Sequence, residues 1–86
     1  MLRIFHTYEM LMTTVSLEGK LFSSWVPEVR TAVTAALTRG GVYLDLANLL
    51  FADEAGLQLL RELIDSERVQ LKATSSFLAA LLAVTH

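Results

Sequence analysis

Three acidic side chains have the type and spacing to do chemistry in this sequence, Asp45 and the adjacent pair Asp53 and Glu54. Paired carboxylates can act as general acid and general base in catalysis. They can also be structural, because an acid at a helix start accepts the unpaired N–H groups of the first turn. A helix cap and an acid at a strand end are the simpler interpretation. We therefore do not predict a catalytic site here.

Other catalytic and ligand-binding patterns are weak. His6 and His86 stand near opposite ends of the chain, there is no cysteine, and no acids accompany either histidine at the spacing of a metal site. Four scattered glycines form no phosphate-binding loop, and Ser23–Ser24 has no nearby base to activate a hydroxyl. The sequence thus predicts a protein that is not an enzyme and that uses no cofactor or metal.

The acids lie between a predicted strand and a predicted helix. The run VYLDL (Val42–Leu46) is rich in strand-forming residues, and Ala47–Ala52 is interpreted as a connection. Asp53 is the candidate N-cap of a helix, and Glu54 adds favourable charge to its first turn. Apolar residues then recur at helical spacing, at Leu57, Leu60 and Ile64. The carboxyl end of a strand in an open α/β sheet is the usual place of function.

The whole chain predicts the order ββαβαβα. Strands are expected at Leu2–Tyr8, Thr14–Leu21, Val42–Leu46 and Val69–Ala73, and helices at 26–39, from Asp53 to about Glu67, and from Phe77 to about Thr85. Ser23 or Ser24 is expected to cap the first helix, which carries Pro27 in its first turn and a buried stripe of Val26, Val29, Val33, Ala36 and Leu37. Right-handed crossovers make the later strands parallel, after an antiparallel first hairpin. The expected fold is α/β, with a mixed four-stranded sheet and helices mainly on one face.

Composition limits the function classes. The 86 residues make one domain, 1–86, with 53% hydrophobic residues, which is typical of a folded protein. A net charge of −2 offers no basic surface for nucleic acid. The longest apolar run, 77–84, is too short to span a membrane, and no signal peptide is visible. A cytoplasmic protein is therefore expected.

Two segments carry a family resemblance. DLANLLFADEAGLQLL resembles the signature of the STAS domain, which occurs in bacterial anti-sigma factor antagonists and in the cytosolic tails of sulfate transporters. The matching residues are Asp45–Leu46 and Phe51–Leu57, which follow the pattern Asp-x-(Ser/Ala)-Gly-Leu at a helix start. The preceding segment LEGKLFSSWVPEVRTAV resembles the strand, loop and helix before that signature. Together they cover most of the chain between Leu17 and Leu60.

The resemblance implies a protein-interaction module that contacts its partner through this loop and helix. The implied partner-binding residues are Asp53, Glu54, Ala55, Gly56, Gln58, Arg61 and Glu62. Charge agrees with this, since Asp45–Glu67 holds six acids and one base, net −5, whereas the remainder is net +3. An acidic surface can dock on a basic partner. The alternative is an ordinary solvated helix face.

The sequence departs from the family at one functional position. In the antagonists that switch, the residue before the motif glycine is a Ser or Thr that a kinase phosphorylates, and here it is Ala55. Glu54 has one charge at a neighbouring position and is at best a partial mimic of a phosphate. The implied protein is a regulator of the anti-sigma factor antagonist type that cannot be phosphorylated there, with a kinase-like anti-sigma factor as partner. The alternatives are an accessory STAS subunit of a membrane transporter ATPase and a small nucleotide-binding protein.

The last predicted helix is unusually apolar. Phe77, Leu81 and Val84 form one stripe, and Leu78 and Leu82 form another beside it. One interpretation places this helix between the sheet and the second helix. The other leaves part of it exposed as the surface of a homodimer.

Overall fold

The computed structural model describes residues 2–84, except for the side chains of residues 77, 83 and 84. The elements of this part are, in chain order, β1 (Leu2–Glu9), β2 (Met12–Leu21), α1 (Val26–Leu37), β3 (Gly41–Leu46), β4 (Leu49–Ala52), α2 (Glu54–Asp65), β5 (Val69–Thr74) and α3 (Ser76–Val84). The predicted α/β class is confirmed. So is the predicted order of elements, apart from β4.

The sheet is mixed, as predicted. β1 and β2 form an antiparallel hairpin, whereas β2 with β3 and β3 with β5 pair in parallel. The order across the sheet is β1-β2-β3-β5, with β4 paired to β2. β5 therefore lies at an edge of the sheet.

The prediction of a four-stranded sheet is wrong, because the segment expected to be a connection contains β4. Two turn residues, 47 and 48, separate β3 from β4, and β4 then pairs with Gly19–Leu21 at the end of β2. β3 and β4 thus lie one after the other along β2. The ends of β4 are buried and its middle two residues are exposed, so β4 lacks the alternation that predicts a half-buried strand.

The core lies on one face of the sheet. Alternate residues of β2 and β3 point into it, and the predicted stripe of α1 is confirmed by the burial of Val29, Val33 and Ala36. The other large side chains that are fully buried come from the sheet, α2 and α3 and are Val15, Leu17, Leu21, Val42, Leu44, Leu46, Leu49, Leu59, Leu60 and Leu78. One continuous apolar cluster therefore holds helices and sheet together.

The predicted serine cap of α1 is wrong. Residues Ser23–Trp25 form a short 3₁₀ turn, and the N-cap position of α1, Trp25, makes no side-chain cap hydrogen bond. Pro27 lies in the first turn of the helix as predicted, where its missing N–H costs little. The chain therefore enters α1 through a 3₁₀ turn, and no serine hydroxyl caps the helix.

α3 packs against the rest of the molecule through its apolar side chains. Leu78 is fully buried, and Leu81 and Leu82 are partly buried against the core. Ser75 caps this helix, because its hydroxyl accepts the N–H of Leu78. These contacts support the packed interpretation of α3 for the three leucines. Part of this segment lies outside the described residues, namely the side chains of Phe77 and Val84, the predicted last helical residue Thr85, and His86.

No helix in the described part of the chain has the length and apolarity that crossing a membrane requires.

Candidate functional site at the start of α2

Asp53 caps α2, as the sequence predicts. Its backbone is extended, and its Oδ1 accepts the N–H of Gly56 at 2.8 Å. This bond satisfies one of the N–H groups that the first turn of a helix leaves unpaired. Glu54 follows in that turn, at the positive end of the helix dipole.

The same carboxylate also holds the loop that follows β2. Its second oxygen, Oδ2, accepts the backbone N–H of Ser23 at 2.8 Å. The N–H of Asp53 donates to the carbonyl oxygen of Leu21 at 3.0 Å. One residue therefore fixes the end of β2, the entry to α1 and the start of α2 relative to one another. Its role is positional, and sequence reasoning identified only the capping half of it.

The remaining residues of the first turn differ in exposure. Glu54 is exposed, Ala55 is half-buried and Gly56 is buried. A Cβ added to Gly56 would lie 2.9 Å from the Leu21 carbonyl oxygen, so the helix touches the strand backbone there. Glu54 is accordingly the predicted first-turn residue that a partner can reach most directly.

Further along α2, the predicted docking residue Glu62 has a partner within the chain. Glu62 accepts a hydrogen bond from Arg30 of α1 at 3.0 Å, in an ion pair in which both side chains are half exposed. Such pairs contribute little to stability. Gln58 is exposed, and Arg61 is half-buried, with a buried Nε that lacks a hydrogen-bond partner. The structure thus places Glu54, Gln58 and Glu62 at the surface of one helix.

Three exposed apolar side chains come shortly before Ser23 or Asp53 in the chain, and they were not predicted to be exposed. Phe22 and Phe51 have ring centroids 5.6 Å apart, and Leu50 is 64% exposed. We call Phe22, Leu50 and Phe51 the apolar patch. Phe22 directly precedes Ser23, and Phe51 is two residues before Asp53, so the hydrogen bond between Ser23 and Asp53 holds these two phenylalanines near the start of α2. The apolar run Leu49–Ala52 is visible in the sequence, but its hydrophobicity predicts buried side chains and not an exposed patch.

Asp45 and Asp53 each accept a backbone N–H group. Asp45 accepts the N–H of Ala47 at 3.1 Å and closes the turn between β3 and β4, while Asp53 is used as the cap. Each of these acids therefore has a structural partner, as the simpler interpretation expected. Within residues 2–84 no three His, Cys, Asp or Glu side chains are grouped so that they could hold a metal ion.

Comparison with known proteins supports the fold only. No family model matches the chain, and no curated protein matches it. A crystal structure described as an analysis of Mglu is similar, with a TM-score of 0.65 over 80% of this chain and 23% sequence identity. The chain spans 18% of the length of that protein. At this level of identity the similarity shows that the two share a small α/β fold.

Proposed function

We propose that this chain is a non-catalytic protein-interaction module of the STAS type. It binds a protein partner through the start of α2 and the adjacent apolar patch. The observation that carries the proposal is the exposure of Phe22, Leu50 and Phe51, together with the exposure of Glu54 in the first turn of α2. Exposed apolar side chains with charged residues nearby in the chain are typical of interaction sites.

The patch has the chemistry of an interface centre. Aromatic side chains contribute large contact areas, and such anchors account for much of the binding free energy in protein complexes. The acids of Asp45–Glu67 give the surrounding segment a net charge of −5, which favours a partner with a basic docking face. The resulting surface combines an apolar centre with an acidic border.

The surface is also preorganised. The carboxylate of Asp53 holds Ser23 and Gly56 by two hydrogen bonds of 2.8 Å each. The residues of the patch that flank these bonds therefore need little ordering when a partner binds, and this lowers the entropic cost of association.

The motif resemblance suggests the class of partner. A regulator of the anti-sigma factor antagonist type would act in the cytoplasm and bind a kinase-like anti-sigma factor. The absence of a hydroxyl at Ala55 means that phosphorylation at that position cannot release the partner. We therefore propose a module that stays competent to bind, or that is regulated at another position.

The test compares two exposed leucines. Leu50 is 64% exposed inside the patch, and Leu11 is 72% exposed in the turn between β1 and β2. A partner is first recovered from the native lysate with the wild-type chain and purified. Leu50→Ser should then weaken its binding about tenfold or more, because a buried leucine contributes about 1.5–3 kcal/mol.

Leu11→Ser removes a similar exposed side chain elsewhere and should leave the affinity unchanged. Equal weakening by the two substitutions, or weakening by Leu11→Ser alone, would contradict the proposed site. Both variants should keep the wild-type stability within about 0.5 kcal/mol, because neither leucine is in the core.

A further inference from the structure

The free edge of β1 is long and regular. β1 pairs with β2 over all eight residues from Leu2 to Glu9 without a register shift, and it is the terminal strand of the sheet. The segment contains no proline and no lysine, which are the residues that commonly protect an edge from pairing. Its outer N–H and C=O groups are available to a further strand.

The hairpin geometry determines which backbone groups face outward. The turn residues Met10 and Leu11 have φ of 51° and 69°, as in a two-residue type I′ turn, and Glu9 and Met12 close the hairpin. The closing pair of such a hairpin exchanges both hydrogen bonds, and bonded and non-bonded pairs then alternate along the strands. The N–H and C=O groups of Tyr8, His6, Ile4 and Leu2 therefore point away from β2.

We infer that a second copy of this chain pairs antiparallel with β1 along this edge. The outward groups restrict the register to pairs of even-numbered residues. In one such register His6 faces His6 of the second copy, and Ile4 faces Tyr8. Arg3 of each copy then faces Glu9 of the other, on the same face of the sheet.

The charges of Arg3 and Glu9 favour the register with His6 on the two-fold axis. Arg3 and Glu9 lie near opposite ends of β1, so a two-fold axis at His6 forms two Arg–Glu pairs across the interface. A shift to the next permitted register, with Phe5 on the axis, would place Arg3 opposite Thr7, so that Arg3 and Glu9 would no longer face each other directly. Opposite charges that face each other across two strands stabilise their pairing, and like charges destabilise it.

The second edge of the sheet explains why assembly stops at two copies. β5 carries Lys72, and its pairing with β3 is interrupted by a register shift between Leu44 and Asp45. Both features discourage strand addition. A two-fold pairing of β1 uses the same surface on both copies and leaves no further free β1 edge, so the assembly closes as a dimer.

The first test is a charge exchange, read out as the dimer dissociation constant by sedimentation equilibrium of the full chain. Wild type should dimerise in the micromolar to sub-millimolar range. Arg3→Glu and Glu9→Arg should each raise the dissociation constant at least about tenfold, because each change makes both Arg–Glu pairs repulsive. The double variant Arg3→Glu/Glu9→Arg should restore dimerisation.

A matched control separates edge pairing from effects inside the hairpin. Glu18 is the cross-strand neighbour of Arg3 within the same chain, so Glu18→Arg disturbs that internal pair without altering the edge. It should leave the dimer intact. A monomeric wild type, a double variant that fails to recover, or a Glu18→Arg variant as weak as Arg3→Glu would overturn the inference.

Hydrogen exchange gives a second, independent readout. In the dimer the amides of Ile4 and Tyr8 should become protected with rising protein concentration, because they point toward the second copy. The amides of Phe5 and Thr7 point toward β2 and should be protected at every concentration. A dimer whose Ile4 and Tyr8 amides stay fast would be held by another surface, such as α3, and would contradict edge pairing.

Discussion

Gly56 of α2 lies directly against Leu21 of β2. A Cβ built on Gly56 would be 2.9 Å from the carbonyl oxygen of Leu21 and 2.9 Å from the Cγ of the Leu21 side chain. That carbonyl oxygen also accepts the N–H of Asp53 at 3.0 Å, so it cannot move without breaking the bond that anchors the helix cap. The absence of a side chain at Gly56 therefore sets how closely the helix approaches the strand.

We predict that Gly56→Val destabilises the fold by about 1–3 kcal/mol through overpacking. Gly56→Ala is the more sensitive test, because its effect on the free energy of unfolding could have either sign. Replacing a helical glycine with alanine in open space would stabilise a protein by about 0.5–1 kcal/mol. At Gly56 the added Cβ would press against the Leu21 carbonyl oxygen, so we expect Gly56→Ala to destabilise the protein instead. The measurement is the free energy of unfolding from urea denaturation.

Gly41→Ala is the matched control for this contact. A Cβ at Gly41 would meet the Sδ of Met12 at 2.7 Å, and this atom belongs to a flexible side chain that can move aside. Gly41→Ala should therefore cost less than Gly56→Ala. If the two alanine variants are equally stable, or Gly56→Val melts at the wild-type temperature, the close packing at Leu21 is not a constraint.

The cap gives a second prediction. Asp53→Ala removes the acceptors of both the Gly56 and the Ser23 N–H groups, so its cost should fall in the upper part of the usual range for a lost cap, about 0.5–2 kcal/mol. Asp53→Asn should be intermediate, because its amide offers one oxygen in place of two. Asp65→Ala is the control, since an acid at the last residue of α2 opposes the helix dipole and its removal should be neutral or slightly stabilising. Equal stability of Asp53→Ala and Asp65→Ala would show that the cap is not important.

The predictable parts of this site are those whose contacts are local in sequence. The cap joins Asp53 to Gly56, three residues apart, and both residue types signal it directly. The bond from Ser23 to Asp53 spans thirty residues, and the Arg30–Glu62 pair spans thirty-two, so no short pattern reveals them. They depend on how the helices and strands pack.

β4 and the apolar patch could not be predicted for a related reason. Leu50 and Phe51 are as hydrophobic as core residues. Phe51 pairs with the exposed Lys20 of β2, and Leu50 has no partner on β2 at the register shift, so both side chains are exposed. That pairing includes a register shift between Gly19 and Lys20, which no alternation in the sequence indicates. The face of the sheet that the helices cover was predictable, because alternation along β2 and β3 extends over many residues.

The third prediction concerns phosphorylation. The chain has no hydroxyl side chain between Asn48 and Arg61, so incubation with a kinase-type anti-sigma factor should add no phosphate there. Intact-mass analysis and peptide mapping would measure this. Ala55→Ser restores a hydroxyl at a half-buried position, and we expect it to become a phosphate acceptor if the motif resemblance is functional. A stoichiometric phosphate within the wild-type segment is incompatible with the proposal.

The last prediction tests the acidic border of the proposed docking surface. Glu54 is exposed in the first turn of α2, so Glu54→Lys should cost the fold about 1 kcal/mol or less through the helix dipole. Facing a basic partner, the same change replaces attraction with repulsion and should weaken binding by several kcal/mol. Glu18→Lys is the control, because it changes the net charge equally but lies on β2 and not on α2. Affinities of the two variants for the purified partner are compared at one salt concentration, since exposed charges are screened by ions. Equal weakening would mean that only the overall charge matters, and weakening by Glu18→Lys alone would move the interface to the sheet.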